Sequence, residues 1–182
     1  MELTIRTATM DDLPALRQVM DASIGELQIG FLTDDQIAAS RALMGLDTQL
    51  VQDGTYYVVE ADGDLAGCGG WSRRATLYGS DSTPGRDAHL LDPSSDAARV
   101  RAMYTNPPFA RRGVGRLILE TCERAAAAEG FTRLELAGTL SGEPLYTAYG
   151  FVVVERRTDD RGGAPVPLVI MERPIQISPG GA

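Results

Sequence analysis

Leu3, Ile5 and Thr7 alternate with the polar Glu2, Thr4 and Arg6, a period of two that predicts a short strand over 2–7. Thr9-Met-Asp-Asp is a helix start, and Leu13, Leu16, Val19 and Met20 follow at helical spacing. Thr33-Asp-Asp-Gln is a second N-cap pattern, leading to Ile37, Leu43 and Met44. Two strands rich in Tyr, Val and Leu, over 55–60 and 65–71, flank Asp62-Gly63, the dipeptide of a tight hairpin. Residues 76–97 are rich in Gly, Ser, Asp and Pro and read as a long loop, a length that in compact domains often carries function. A strand over 98–105 stops at Asn106-Pro107-Pro108. Val114, Leu117, Ile118 and Thr121 then share one face of a strong helix over 113–129, which Gly130 ends. A strand over 132–137, a short helix over 142–149 and apolar strands over 152–155 and 168–171 complete the pattern. The order β-α-α-β-β-β-α-β-α-β-β describes a mixed α/β or α+β chain with no internal repeat.

With 182 residues and 43% hydrophobic content, one domain over 1–174 is expected, with a flexible tail over 175–182. The formal net charge of −8 disfavours a general nucleic-acid binder and suits cationic or neutral small substrates, such as a polyamine, an aminoglycoside or a basic peptide. All 17 basic residues are Arg, which excludes a catalytic, Schiff-base or Walker-type lysine. Cys68, Cys122 and the lone His89 are too few and too scattered for a His/Cys metal site, so no metal is expected. The absence of a long apolar segment or a signal peptide points to a cytoplasmic protein with no membrane partner and reduced thiols.

Candidate chemistry concentrates in Arg111-Arg-Gly-Val-Gly-Arg116, between a strand and the strong helix. The N–H groups that open a helix lack intrahelical partners and lie at its positive end. Gly113 and Gly115 would admit a phosphate close to the backbone, and Arg111, Arg112 and Arg116 add planar cationic donors. A dinucleotide fingerprint fails because Ile118 stands where its third glycine is required, and a P-loop fails for want of Lys. A tight turn with solvated arginines is the structural alternative.

Thr105-Asn-Pro-Pro-Phe-Ala-Arg-Arg-Gly-Val-Gly-Arg-Leu-Ile-Leu119, followed at a distance by Leu145-Tyr-Thr-Ala-Tyr-Gly-Phe151, resembles the GNAT superfamily of acyl-CoA N-acyltransferases. The element order is similar over about residues 2–173. The resemblance implies a mostly antiparallel central sheet flanked by helices and splayed between its fourth and fifth strands. It implies acetyl-CoA as cosubstrate and transfer of its acetyl group to a primary amine of a small molecule or peptide. A non-catalytic acyl-CoA sensor is the alternative, and homodimers are frequent among similar families. By position, Met103, Tyr104 and Thr105 would pair their main chain with the pantetheine arm, and Arg111, Arg112, Gly113, Val114, Gly115 and Arg116 would hold the pyrophosphate. Tyr146 would serve the departing thiolate as acid or hydrogen-bond donor.

This chain departs from the family at three places: Ala110 replaces a Gln or Arg, Thr139 replaces an Asn, and 98–105 contains no carboxylate base. Glu60, Asp96 and His89 are the residual candidates for a base, each with a surface role as the alternative. Tyr149 reads as packing, and Cys68 and Cys122 as small core residues. Trp71 reads equally as a wall of the acceptor cleft or as core.

Overall fold

Asp62 and Gly63 have φ of 52° and 92°. The positive values at both central residues match the twist of the hairpin they close, as Asp-Gly predicts. That hairpin joins β2 (Tyr56–Ala61) to β3 (Asp64–Ser72). The computed structural model describes residues 1–176, and around this hairpin it builds one sheet. The other strands are β1 (Leu3–Thr7), β4 (Ala98–Thr105), β5 (Arg133–Gly138), β6 (Val152–Asp159) and β7 (Val166–Pro174). The seven strands run in the order β1-β2-β3-β4-β5-β7-β6. All neighbours are antiparallel except β4 and β5.

Two helices carry most of the burial on the sheet. In α1 (Leu13–Glu26) the buried Leu16, Val19, Met20, Ser23 and Ile24 form one helical stripe, which packs on Tyr56, Val58, Cys68 and Tyr104. In α4 (Val114–Ala128) Val114, Ile118, Leu119, Cys122 and Ala126 form another, packed on Val59, Val100, Leu134, Leu136 and Met171. Adjacent residues Val58 and Val59 belong to different clusters, so the two helices lie on opposite faces of the sheet. Of the shorter helices, α2 (Asp34–Ser40) packs near β7, and α5 (Glu143–Tyr149) lies beside α4. The helix α3 (Thr48–Gln52) is an element absent from the sequence pattern; Asp47 caps it by accepting the Gln49 N–H at 3.1 Å.

The mixed α/β sheet is splayed between β4 and β5, as expected. Only Ala98↔Leu134 and Arg99↔Glu135 pair before the two strands part. An ion pair of 2.6 Å between Arg99 and Glu135 pins the closed end. Beyond it, β4 bulges: Tyr104 opposes Cys68 and Arg101 opposes Gly70, so β4 holds one residue more than β3 over the same span. Ala102 takes φ 50° there, and its carbonyl accepts a hydrogen bond from the Tyr56 hydroxyl at 2.7 Å. A bulge bends its strand, which turns this half of β4 away from β5.

The expected tail begins with Ile175 and Gln176 tied to the body: the Ile175 N–H donates to the Thr132 carbonyl and the Gln176 N–H to Glu123. Residues 177–182, the remainder of the tail expected to be flexible, lie outside the described residues. Among the described residues no helix is long and apolar enough to cross a membrane.

Candidate functional site

The parting of β4 and β5 leaves a cavity of about 80 Å³. Val100 to Tyr104 form its β4 wall, and Leu136 to Thr139 its β5 wall. Leu43, Met44, Leu77, Tyr78 and Leu168 close it on the side away from α4. The long loop therefore contributes to the site, a role its composition did not specify.

Tyr146 lines this cavity from α5. Its ring is wedged between two glycines: a Cβ at Gly138 would stand 3.0 Å from the Tyr146 Cε2, and one at Gly142 would stand 2.9 Å away. Phe151 packs edge-on against it at 6.0 Å. Burial pushes the Tyr146 phenol up to about 12, so at neutral pH it keeps its proton and acts as a donor.

Met103 and Tyr104 line the same cavity, on the half of β4 that has lost its β5 partner. Met103 packs toward α4, whereas Tyr104 turns to the other face, where its hydroxyl accepts the Gly45 N–H at 2.8 Å. Thr105 pairs with Gly67 at the end of β4 and lies outside the cavity lining.

The arginine–glycine segment follows immediately. Asn106 ties the chain back to β3 through bonds to the Leu65 and Ala66 carbonyls. Arg111 then takes φ 60° and Gly113 φ 88°, two left-handed turns within three residues. For a non-glycine residue that conformation costs about 1–2 kcal/mol. The turns lead straight into α4, whose first N–H groups lack helical partners. Val114 is buried, and its Cγ1 lies where a Cβ at Gly67 would come within 2.6 Å, so the first turn of α4 sits directly on β3. Arg111, Arg112 and Gly113 are exposed, and on the Cβ side of Gly113 the nearest atom is Leu3 Cδ1 at 4.0 Å. Gly115 differs: a Cβ there would meet Leu145 at 2.5 Å, so its lack of a side chain serves the contact between α4 and α5. Arg116 is exposed, pairs with Glu120 at 2.9 Å and reaches over the Tyr149 ring. An open turn of exposed arginines and unpaired N–H groups fits a diphosphate, and the half-paired β4 next to it fits an amide-bearing arm.

The residual base candidates lie elsewhere. Glu60 accepts from Arg6 at 3.0 Å, Asp96 accepts the Asp92 N–H at 2.7 Å, and exposed His89 bonds to Asp87. No carboxylate lines the β4–β5 cavity among the described residues. Trp71 is core, edge-on to Phe131 at 5.9 Å and 1% exposed. Tyr149 packs on Phe151 and donates to Glu123 at 2.6 Å.

Two residues not singled out by sequence stand at the cavity. Tyr78 donates to Asp159 at 2.9 Å, and Arg161 holds that carboxylate down at about 2. Arg101, on β4, is an almost completely buried guanidinium paired with equally buried Asp47 at 2.9 Å. Burial pulls Arg101 below the usual arginine value and Asp47 opposes that pull. An arginine in a strand otherwise reads as a solvated position; the α2–α3 connection that carries Asp47 over it, with the Thr76 and Gly79 carbonyls of the long loop, makes it a core residue.

The model of the Acetyltransferase (GNAT) family matches residues 20–151. Solved structures share the fold at low identity. A GCN5-related N-acetyltransferase structure from Rhodopseudomonas palustris aligns with TM-score 0.70 at 17% identity, covering 96% of each chain. PaiA N-acetyltransferase from Thermoplasma acidophilum, solved in complex with coenzyme A, gives 0.63 at 17% identity over 96% of this chain and 99% of that one. YncA from Salmonella typhimurium, a putative acetyltransferase solved with acetyl-CoA, gives 0.62 at 17% over 100% and 99%. A search of curated protein sequences returned no match. With the family model spanning the splayed strands, the arginine–glycine turn and Tyr146, the chain belongs to the GNAT acetyltransferase family.

Proposed function

We propose that the protein transfers an acetyl group from acetyl-CoA to the primary amine of a small molecule or peptide by direct attack. The observations that support this reading are a bulged half of β4 that pairs with β3 but not with β5, the exposed arginine turn that follows it into α4, and the Tyr146 phenol lining the cavity where β4 and β5 part. Bound acetyl-CoA supplies the reactive thioester. Main-chain groups of Met103, Tyr104 and Thr105 hold its amide-bearing arm as an added strand would. Arg111, Arg112 and Arg116, with the N–H groups from Gly113 to Gly115, hold the diphosphate.

Tyr146 donates a hydrogen bond to the departing sulfur. Burial raises its phenol to about 12, above an ordinary thiol, so the geometry favours a hydrogen bond to the sulfur over complete proton transfer. The side chain therefore stabilises the thiolate without surrendering its proton.

The acceptor reaches the cavity as a neutral amine. None of the described lining residues offers a carboxylate to take its proton, and the Arg101 guanidinium beside the cavity disfavours an ammonium ion. The rate then rises with pH according to the amine's own pKa. Rates for two amines of different basicity test this: profiles that shift with the amine support it, and one shared profile would point to an enzyme base. The missing carboxylate also favours the second reading, an acyl-CoA-binding module without transfer. Release of thiol from acetyl-CoA on adding amines separates the two.

A further inference from the structure

A second cavity, of about 270 Å³, adjoins the first: Arg101 lines both. It lies under the loop, with Thr76 and Thr83 in its wall, while Leu77 to Gly79 of the same loop face the β4–β5 opening. Sites for drug-sized ligands occupy about 300–1,000 Å³, so this one suits a smaller molecule.

Its charges are unbalanced. Arg74, Arg86 and Arg101 line it against one carboxylate, Asp47. Asp53, outside the lining, neutralises Arg74 through bonds of 2.8 and 3.0 Å. Asp47 must serve the other two at once: its Oδ2 lies 2.9 Å from Arg101 and 2.6 Å from Arg86, and its Oδ1 is occupied by the Gln49 N–H. Asp81 lies 3.9 Å from Arg86 but is half in solvent and already accepts from Thr48. One buried carboxylate thus faces two guanidinium groups. Arg101 spends donors on Asp47 and on the Thr76 and Gly79 carbonyls, and a guanidinium carries five N–H groups. A guanidinium pair recognises a planar anion best, and this cavity presents two guanidinium groups that share one carboxylate oxygen.

We propose that this cavity receives the carboxylate of the acyl acceptor, whose amine lies in the neighbouring β4–β5 opening. The acceptor is then an amine bearing an acid group a few bonds away, an amino acid or a molecule of that form. This rests on the acetyl-transfer reading and reverses the substrate class suggested by net charge. Net charge does not decide the local site: the described lining of the opening has no carboxylate to attract a polyamine and has an arginine to repel one.

The test compares L-phenylalanine, L-methionine, L-glutamine and L-glutamate with their α-amides, titrated calorimetrically into the CoA-loaded protein, with thiol release from acetyl-CoA followed in parallel. The amide keeps the side chain and removes the α-carboxylate charge; because that also lowers the pKa of the amine, affinities and rates are compared per neutral amine, across a range of pH. At least one acid is expected to bind tenfold or more tightly than its amide, and Arg86→Gln to erase most of that preference. Arg86 is chosen because loss of Arg101 would strand buried Asp47 and loss of Arg74 would strand Asp53, either of which threatens folding; Arg86→Ala is the second variant. Acids that bind no better than their amides, or a preference that survives both variants, overturn the assignment. Acid-selective binding without thiol release would leave the cavity assigned and remove acetyl transfer; equal transfer to acids and amides would do the reverse.

Discussion

Replacing Tyr146 with Phe removes one oxygen from the centre of the proposed chemistry and leaves the ring where it is. The ring is fixed by its contacts with Gly138, Gly142 and Phe151, none of which involves the hydroxyl. The fold should therefore be retained, and acetyl-CoA should bind as before. Turnover should fall by the value of one hydrogen bond to a charged acceptor, about 1.5–3 kcal/mol. At about 1.4 kcal/mol per factor of ten, that is a loss of roughly 10- to 150-fold. A thiol-release assay at saturating acetyl-CoA gives kcat, and calorimetry gives the affinity. A loss smaller than about threefold would remove Tyr146 from the mechanism. A loss beyond about 10⁴-fold with unchanged acetyl-CoA affinity would refute the hydrogen-bond limit and require full proton transfer.

Gly142→Ala puts a methyl group 2.9 Å from the Tyr146 ring and should lower kcat with acetyl-CoA affinity preserved; equal kcat would show that the ring position is uncritical. Arg112→Glu reverses an exposed charge at the α4 turn and should weaken CoA binding about three- to tenfold, less at high salt, by calorimetry at two ionic strengths. Arg6 and Arg161 hold Asp12 and Asp159 down at about 2, below the ordinary carboxylate value. Their contribution to stability is present above about pH 4 and lost as pH falls through about 2. Urea midpoints measured across that window should fall with acid, and Asp12→Asn with Asp159→Asn should flatten the fall.

Much of the architecture was legible because local chemistry and tertiary packing agree. Asp62-Gly63 requires a tight turn and makes one, and the stripes of α1 and α4 become the two core faces. The short α3 escaped because its five residues are too few to display a period, and its capping Asp47 also serves Arg86 and Arg101, which are distant in sequence. The bulge at Ala102 escaped because it exists only relative to β3: nothing in the local sequence says that Gly69 will oppose two residues. The turn of 111–116 was found from its glycines and arginines, but the two glycines divide their work. Gly113 takes the left-handed turn, and Gly115 clears a path for Leu145, a residue thirty positions away. Arg101 and the second cavity were invisible for the same reason, since their partners come from the α2–α3 connection and the long loop.

The most direct measurement incubates the protein with acetyl-CoA and an amine, and follows thiol release and product mass together. The account predicts one thiol freed for each amine acetylated, at a rate abolished by omitting either reactant. Acetyl-CoA that binds tightly yet releases no thiol above its spontaneous hydrolysis, across amines with and without an acid group, would contradict it.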